Sequence, residues 1–177
     1  MLHDDEVARR AAALEWLLLD VDGVLTDGRL LYSRSGESLK QFHVRDGLAV
    51  RLAAQAGLKV GVLSGRASAA LARRASDLGF DAVMTGRKDK GPAFAEFLER
   101  YGTDGERVAY IGDDLPDLEV LGRCGLALAP ADAVPEVRAA VHRVLQHRGG
   151  DGAVREAVEL ILKARGDWDQ ILAGYTV

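Results

Sequence analysis

"WLLLDVDGVLTDG", residues 16–28, opens on an apolar run and then carries three carboxylates, Asp20, Asp22 and Asp27. A short apolar run bounded by turn residues reads as a buried strand, here Trp16–Val21. Asp20 closes the strand and Asp22 lies two residues on, so an extended chain points both to one side. Gly23 then permits a tight turn. Two carboxylates held this close repel each other, and a hard cation such as Mg²⁺ relieves the repulsion through oxygen ligands. Alone, the pair is equally compatible with a turn in which one Asp caps a helix.

The same grammar repeats along the chain. Residues 58–64, 81–85, 107–112 and 125–129 read as further strands, and 143–145 as a short sixth. Between them "DGLAVRLAAQAG", "ASAALARRASDLG", "KGPAFAEFLERYG" and "DLEVLGRCG" show helical spacing, each ending near a glycine that can stop a helix. This β-α-β-α rhythm predicts an α/β fold, a parallel sheet covered by helices on both faces. The 177 residues fit one domain, 1–177, with a tail from about 149.

One segment breaks the rhythm. In residues 29–43, "RLLYSRSGESLKQFH", "LLYS" and "SLKQFH" flank a glycine turn and read as a β-hairpin inserted at about 28–44. It is far too short for a separate cap domain. Its apolar residues Leu30, Leu31, Tyr32 and Phe42 invite pairing with a second subunit, or fold back on their own domain.

Bulk properties exclude several classes. The net charge of −4 gives no electrostatic case for nucleic acid or an anionic membrane. Cys124 is the single cysteine, so there is neither an internal disulfide framework nor a cysteine metal cluster. The first sixteen residues read as a short helix rather than a signal peptide. No stretch reaches the roughly 18 apolar residues of a membrane span.

In a parallel α/β sheet, ligands bind beyond the carboxyl ends of the strands. "VLSGR" places Ser64, with the backbone N–H groups of Gly65 and Arg66, near a helix start, either as an anion site or with Ser64 as an ordinary cap. "GRKDKGPAF" brings Lys88 and Lys90 to another helix start; Lys90 directly precedes "GPAF". Either lysine neutralises a phosphate oxygen there or lies on a solvated face. "YIGDDLPD" puts Asp113 and Asp114 after a strand, with Asp117 further on. One of them serves as a helix cap, while Asp113 can complete a cation site supported by Asp114 or Asp117.

The motifs "DVDGV", "VLSGR", "KDKGPA" and "GDDLPD" resemble the haloacid dehalogenase-like (HAD) phosphohydrolase superfamily. "DVDGVLTDG", "FHVRDGLAV", "YIGDDLPDLEVL" and "GGDGAVREAVELIL" narrow the resemblance to 3-deoxy-D-manno-octulosonate 8-phosphate (KDO 8-phosphate) phosphatases, over about residues 16–166. The resemblance implies a Rossmann-like HAD core without a large cap. It implies a homotetramer in which the hairpins meet and a neighbouring subunit helps close each site, working in the cytoplasm on the route to lipopolysaccharide. It makes Asp20 the nucleophile and Asp22 the acid and base, with Mg²⁺ held by Asp20, the Asp22 carbonyl and Asp113. Ser64, Gly65 and Lys90 would bind phosphate. A carboxylate on the sugar calls for an arginine, and Arg66 and Arg74 match the family pattern; the other reading of Arg74 is packing of its stem. "GGDGAVRE", residues 149–156, reads as a glycine lid over a site or as a loop capping the last helix. Arg45 and Asp46 read as cap and turn residues, and His43 as structural.

Three alternatives remain at this level. A phosphatase of another acidic nine-carbon sugar phosphate would share the whole catalytic set. A phospho-acceptor domain of the receiver type uses similar residues, but with the acidic pair first and Lys last. A binding domain without turnover would keep the motifs and lack the activity.

Overall fold

The computed structural model describes residues 4–34 and 36–175. The first residues of the predicted N-terminal helix (1–3), Ser35 of the predicted hairpin turn and the end of the tail (176–177) lie outside the described residues. The elements run α1 (Asp4–Ala12), β1 (Trp16–Leu19), β2 (Leu31–Ser33), β3 (Gly36–Leu39), α2 (Val44–Gln55), β4 (Lys59–Leu63), α3 (Ala69–Leu78), β5 (Ala82–Met84), α4 (Lys90–Tyr101), β6 (Val108–Ile111), α5 (Leu118–Leu121), β7 (Leu126–Ala129), α6 (Pro135–Ala140), β8 (Arg143–Val144), α7 (Ala153–Arg165) and α8 (Trp168–Ala173).

Six strands form a parallel sheet in the order β5-β4-β1-β6-β7-β8, and β2-β3 form a separate antiparallel pair. The strand carrying the Asp20 motif is therefore central, with β4 on one side and β6 on the other. The order reverses at β1, which is where an open parallel sheet leaves a crevice at its carboxyl edge.

Period-two alternation sorts the strand side chains between two cores. Leu17 and Leu19 of β1, Ala109 and Ile111 of β6, and Leu126 and Leu128 of β7 pack beneath α1, α2 and α7. Trp16 and Leu18, Val108 and Tyr110, and Ala127 and Ala129 face the opposite side, against α4, α5 and α6. Both faces of the sheet are thus dry, which explains why its strands read as unbroken apolar runs. Two of the predicted helices end on their glycines, Gly79 and Gly102 adopting left-handed φ of 69° and 61°, whereas α5 stops at Leu121, well short of Gly125. No described helix is long and apolar enough to cross a membrane.

Two regions differ from the sequence reading. The return strand of the hairpin is Gly36–Leu39, earlier than "SLKQFH" suggests, because Ser33 pairs directly with Gly36 and the chain leaves the ladder at Lys40. Residues 149–152 do not fold over a site as a lid. Their backbone lies against the loop after β1, with Gly150 N–H donating to Val24 O at 2.9 Å. Gly150 has φ of 65°, and a Cβ there would sit 2.5 Å from Asp27 N. The loop then enters α7, whose first turn is capped from α2: the buried Asp46 accepts from Arg155 N at 2.8 Å and Gly152 N at 3.3 Å.

Candidate active site

The loops after β1, β4, β5 and β6 meet at the carboxyl edge of the sheet around a cleft of about 440 Å³. Asp20, Asp22, Ser64, Gly65, Arg66, Lys88, Lys90, Asp113, Asp114 and Asp117 all line it. Residues 20 and 117 are brought together because their strands are hydrogen-bonded neighbours, with Asp20 N–H donating to Ile111 O at 2.9 Å.

Lys90 and Asp117 organise the floor. The Lys90 ammonium lies 2.9 Å from Asp20 Oδ1 and 2.6 Å from Asp117 Oδ1. Tyr110, fully buried on β6, donates its hydroxyl to the same Asp117 oxygen at 2.6 Å. The other Asp117 oxygen accepts from the backbone of Asp113 at 3.0 Å and of Asp114 at 3.2 Å. Asp117 therefore holds Lys90 and shapes the loop. Asp114 instead is exposed and caps the short turn 115–117, accepting from Leu115 N at 2.8 Å. Lys88 stands exposed at the rim, while Lys90, the first residue of α4, is buried against Asp20.

Burial penalises charge on these carboxyls. It pushes Asp20 up to about 6, with the Asp117 charge adding and Lys90 opposing. Asp113 is pushed up to about 8, by burial first and then by the Asp20 and Asp117 charges. Burial also works against the Lys90 charge, but Asp20 and Asp117 outweigh it and hold the ammonium above its ordinary pKa. One lysine does not satisfy the three carboxylates.

The remaining demand fits a hard divalent cation. Oxygens of Asp20, Asp113 and Asp117 lie within 4.8 Å of one another. Asp113 Oδ1 is buried and, among the described residues, accepts no hydrogen bond. An all-oxygen set with an orphaned buried carboxylate oxygen suits Mg²⁺. Gly23 keeps Asp113 in place: its φ is 90°, and a Cβ there would stand 2.0 Å from Asp113 Oδ2. Any side chain would push Asp113 out of the cluster.

On the opposite wall Ser64 is buried at the end of β4, its hydroxyl accepting from Arg66 N at 3.3 Å. It does not cap α3. Ser68 does, accepting from Leu71 N at 3.2 Å, which leaves the Ser64 hydroxyl facing the cleft. Arg66 reaches over the opening, 3.5 Å from Asp22 Oδ2 and donating to Tyr32 Oη of the hairpin at 3.0 Å. Arg74 does not line the cleft. It packs over the Phe42 ring at 5.6 Å and against Gly47 at the start of α2, where a Cβ would meet its guanidinium at 2.2 Å.

Two residues of the site escape the sequence reading. Tyr110 is one hydroxyl within an apolar strand, and nothing in "VAYI" marks it. Lys40, just past β3, places its ammonium on Asp22 Oδ1. Its signal is a broken alternation, with the apolar Leu39 exposed and the Lys40 side chain buried.

Comparison with known proteins agrees with this geometry. The family model for haloacid dehalogenase-like hydrolases matches residues 39–125. The 3-deoxy-D-manno-octulosonate 8-phosphate phosphatase of Haemophilus influenzae is 45% identical over 153 residues, 86% of this chain and 85% of that protein. The crystal structure of the Moraxella catarrhalis phosphatase of the same name, in complex with magnesium, phosphate and KDO, superposes with a TM-score of 0.95 at 36% identity, covering 98% of this chain and all of that one (100%). A cobalt-bound form of the Haemophilus influenzae phosphatase gives a TM-score of 0.86 at 44% identity, covering 89% and 92% of the two chains. With a shared fold and this identity over most of both partners' length, the chain belongs to the 3-deoxy-D-manno-octulosonate 8-phosphate phosphatase family of haloacid dehalogenase-like hydrolases.

Proposed function

We propose that the chain hydrolyses KDO 8-phosphate to KDO and phosphate, through a phosphoryl group held covalently on Asp20. The observation that carries this reading is the placement of Asp20. Its carboxylate ends the central strand, faces the cleft and is held by Lys90 at 2.9 Å, with Asp22 two residues on.

Asp20 attacks phosphorus in line with the bond to the sugar oxygen. As that bond breaks, Asp22 gives its proton to the departing alkoxide. Asp22 then takes a proton from water, whose oxygen attacks phosphorus and restores the Asp20 carboxylate. Asp20, Asp113 and the Asp22 carbonyl are the groups that would hold Mg²⁺, which supplies positive charge against the phosphate oxygens. Lys90, the Ser64 hydroxyl and the Gly65 N–H bind the other phosphate oxygens and hold them in place as charge redistributes. Arg66, at the mouth of the cleft, meets the carboxylate of the sugar. Arg74 faces away from its own cleft, so any share it has in substrate binding comes through a second copy of the chain.

Residues 1–177 act as one domain, and the chain assembles as a homotetramer through the hairpin. Leu31, Tyr32, Leu39, Val44 and Leu48 are all exposed on or beside it, more apolar surface than a lone hairpin should present to water. The enzyme works in the cytoplasm, on the route to lipopolysaccharide.

The decisive experiment measures phosphate release from KDO 8-phosphate and a panel of other sugar phosphates, with Mg²⁺ and with EDTA. Selective, EDTA-sensitive release from KDO 8-phosphate is expected. Preference for an acidic nine-carbon sugar phosphate would replace the substrate and keep the chemistry. No release by folded, Mg²⁺-loaded protein would overturn both. Light scattering on the eluting protein tests the tetramer, and a monomer at micromolar concentration would refute it.

A further inference from the structure

We propose that Lys40 is a positioning residue for Asp22: the inserted hairpin carries an ammonium that holds the proton-transferring carboxylate toward the leaving oxygen. The inference rests on the assignment of proton transfer to Asp22.

The hairpin turns its side chains the unexpected way round. Leu39 is 63% exposed, whereas the side chain of Lys40 is 2% exposed. A buried ammonium pays heavily in lost hydration unless it is paired, and this one lies on Asp22 Oδ1. Asp22 itself sits past the end of β1, on a loop that turns at Gly23. A carboxylate on a loop needs outside contacts to keep one direction, and proton transfer in line with a breaking bond demands one.

Among the described residues Lys40 and Arg66 reach Asp22, and they are not equivalent. Arg66 approaches the other oxygen, Oδ2, at 3.5 Å, has a side chain 43% exposed, and is also tied to the Tyr32 hydroxyl. It stands at the mouth of the cleft, where it can turn to a substrate carboxylate. Lys40 is enclosed, with its ammonium on Oδ1. When Arg66 engages substrate, Lys40 continues to hold the direction of Asp22. The hairpin insertion therefore contributes to the proton-transfer geometry of its own subunit, besides offering an apolar surface to others.

The test uses full-length, Mg²⁺-loaded enzyme and KDO 8-phosphate, with single-turnover rates where activity is low. Lys40→Met is expected to lower kcat about 10–100-fold, with KM within about threefold of the parent. Lys40→Arg should recover most of the loss. In an Asp22→Asn background, adding Lys40→Met should change kcat less than about twofold, because the group it positions is gone. A full multiplicative loss in that background, or a change in KM alone, would overturn the inference. Should Lys40→Met fail to fold, Lys40→Gln carries the same comparison. The two readings fail separately. An Asp22→Asn enzyme as active as the parent refutes the proton-transfer assignment itself, whereas an inactive Asp22→Asn beside an unimpaired Lys40→Met refutes only the role of Lys40.

Discussion

The cleft has two corners built by different means. The corner that the proposed function assigns to the phosphate is made by the core: Asp20, Lys90, Tyr110 and Asp117 are buried and interlocked at the ends of β1 and β6 and the start of α4. The corner that the proposed function assigns to the sugar is made by the insertion: Tyr32 and Lys40 come from the hairpin, and Arg66 joins them from an exposed loop. On the proposed mechanism the buried corner holds the phosphoryl group, while the hairpin side meets the sugar through Arg66 and orients Asp22 through Lys40. A phosphoryl group needs charges fixed in one geometry, so its partners sit where packing prevents movement. A sugar differs from one substrate to the next, so its contacts sit on segments that change without disturbing the sheet.

The sharpest way to break this division is at its centre. Asp20→Asn keeps size and shape but removes the attacking carboxylate, and should lower turnover at least about 10⁴-fold with the fold intact by circular dichroism. An active Asp20→Asn enzyme would end the covalent reading. Lys90→Met strikes the same corner. It should lower kcat about 10²–10³-fold and also destabilise the metal-free protein by about 3–5 kcal/mol, since it leaves Asp20 and Asp117 buried without their cation. Equal thermal midpoints for Lys90→Met and parent would show that the corner is not held by that ammonium.

The sugar corner should respond differently. Arg66→Ala should raise KM for KDO 8-phosphate roughly 10–100-fold, the worth of one charge-assisted contact. It should leave stability nearly unchanged, because this guanidinium is exposed on the rim. A variant that unfolds instead would place Arg66 with the core residues and erase the distinction.

Proton linkage leaves turnover aside and acts on stability alone. Asp20 and Asp113 are pushed up to about 6 and about 8, so the folded chain keeps protons at pH values where the unfolded chain has lost them. Without metal, stability from these groups is full below about pH 4 and is lost as pH rises through those two values. Thermal unfolding in EDTA should therefore show a midpoint that falls as pH rises from about 5 to about 8. Saturating Mg²⁺ should flatten the slope, because the cation replaces the protons. Identical pH profiles with and without Mg²⁺ would remove the acidic cluster as the cause.

Much of the phosphate corner could be read without coordinates. Asp20, Ser64, Lys90 and Asp113 each follow a strand or open a helix, and parallel strands deliver such positions to one edge. Local pattern was enough there because backbone connectivity alone decides where a strand end lies. Ser64 shows the limit: it reads as a cap, and only the true start of α3, capped by Ser68, decides otherwise. Arg74 shows it again. Its motif promises a substrate contact, but the rotation of α3 against α2 sends the guanidinium to Phe42 and Gly47.

The sequence by itself determined the parallel α/β fold, the hairpin insertion and the chain order of the strand-end motifs. Those features follow from hydrophobic period, glycine placement and strand-end carboxylates, which act over a few residues. Tertiary structure alone decided that Lys40 turns inward to Asp22, that Tyr110 and Asp117 hold Lys90, and that Asp46 caps a helix more than one hundred residues away. These contacts depend on the direction in which one packed element faces another. No local pattern encodes that direction; it emerges when the two cores close around the sheet.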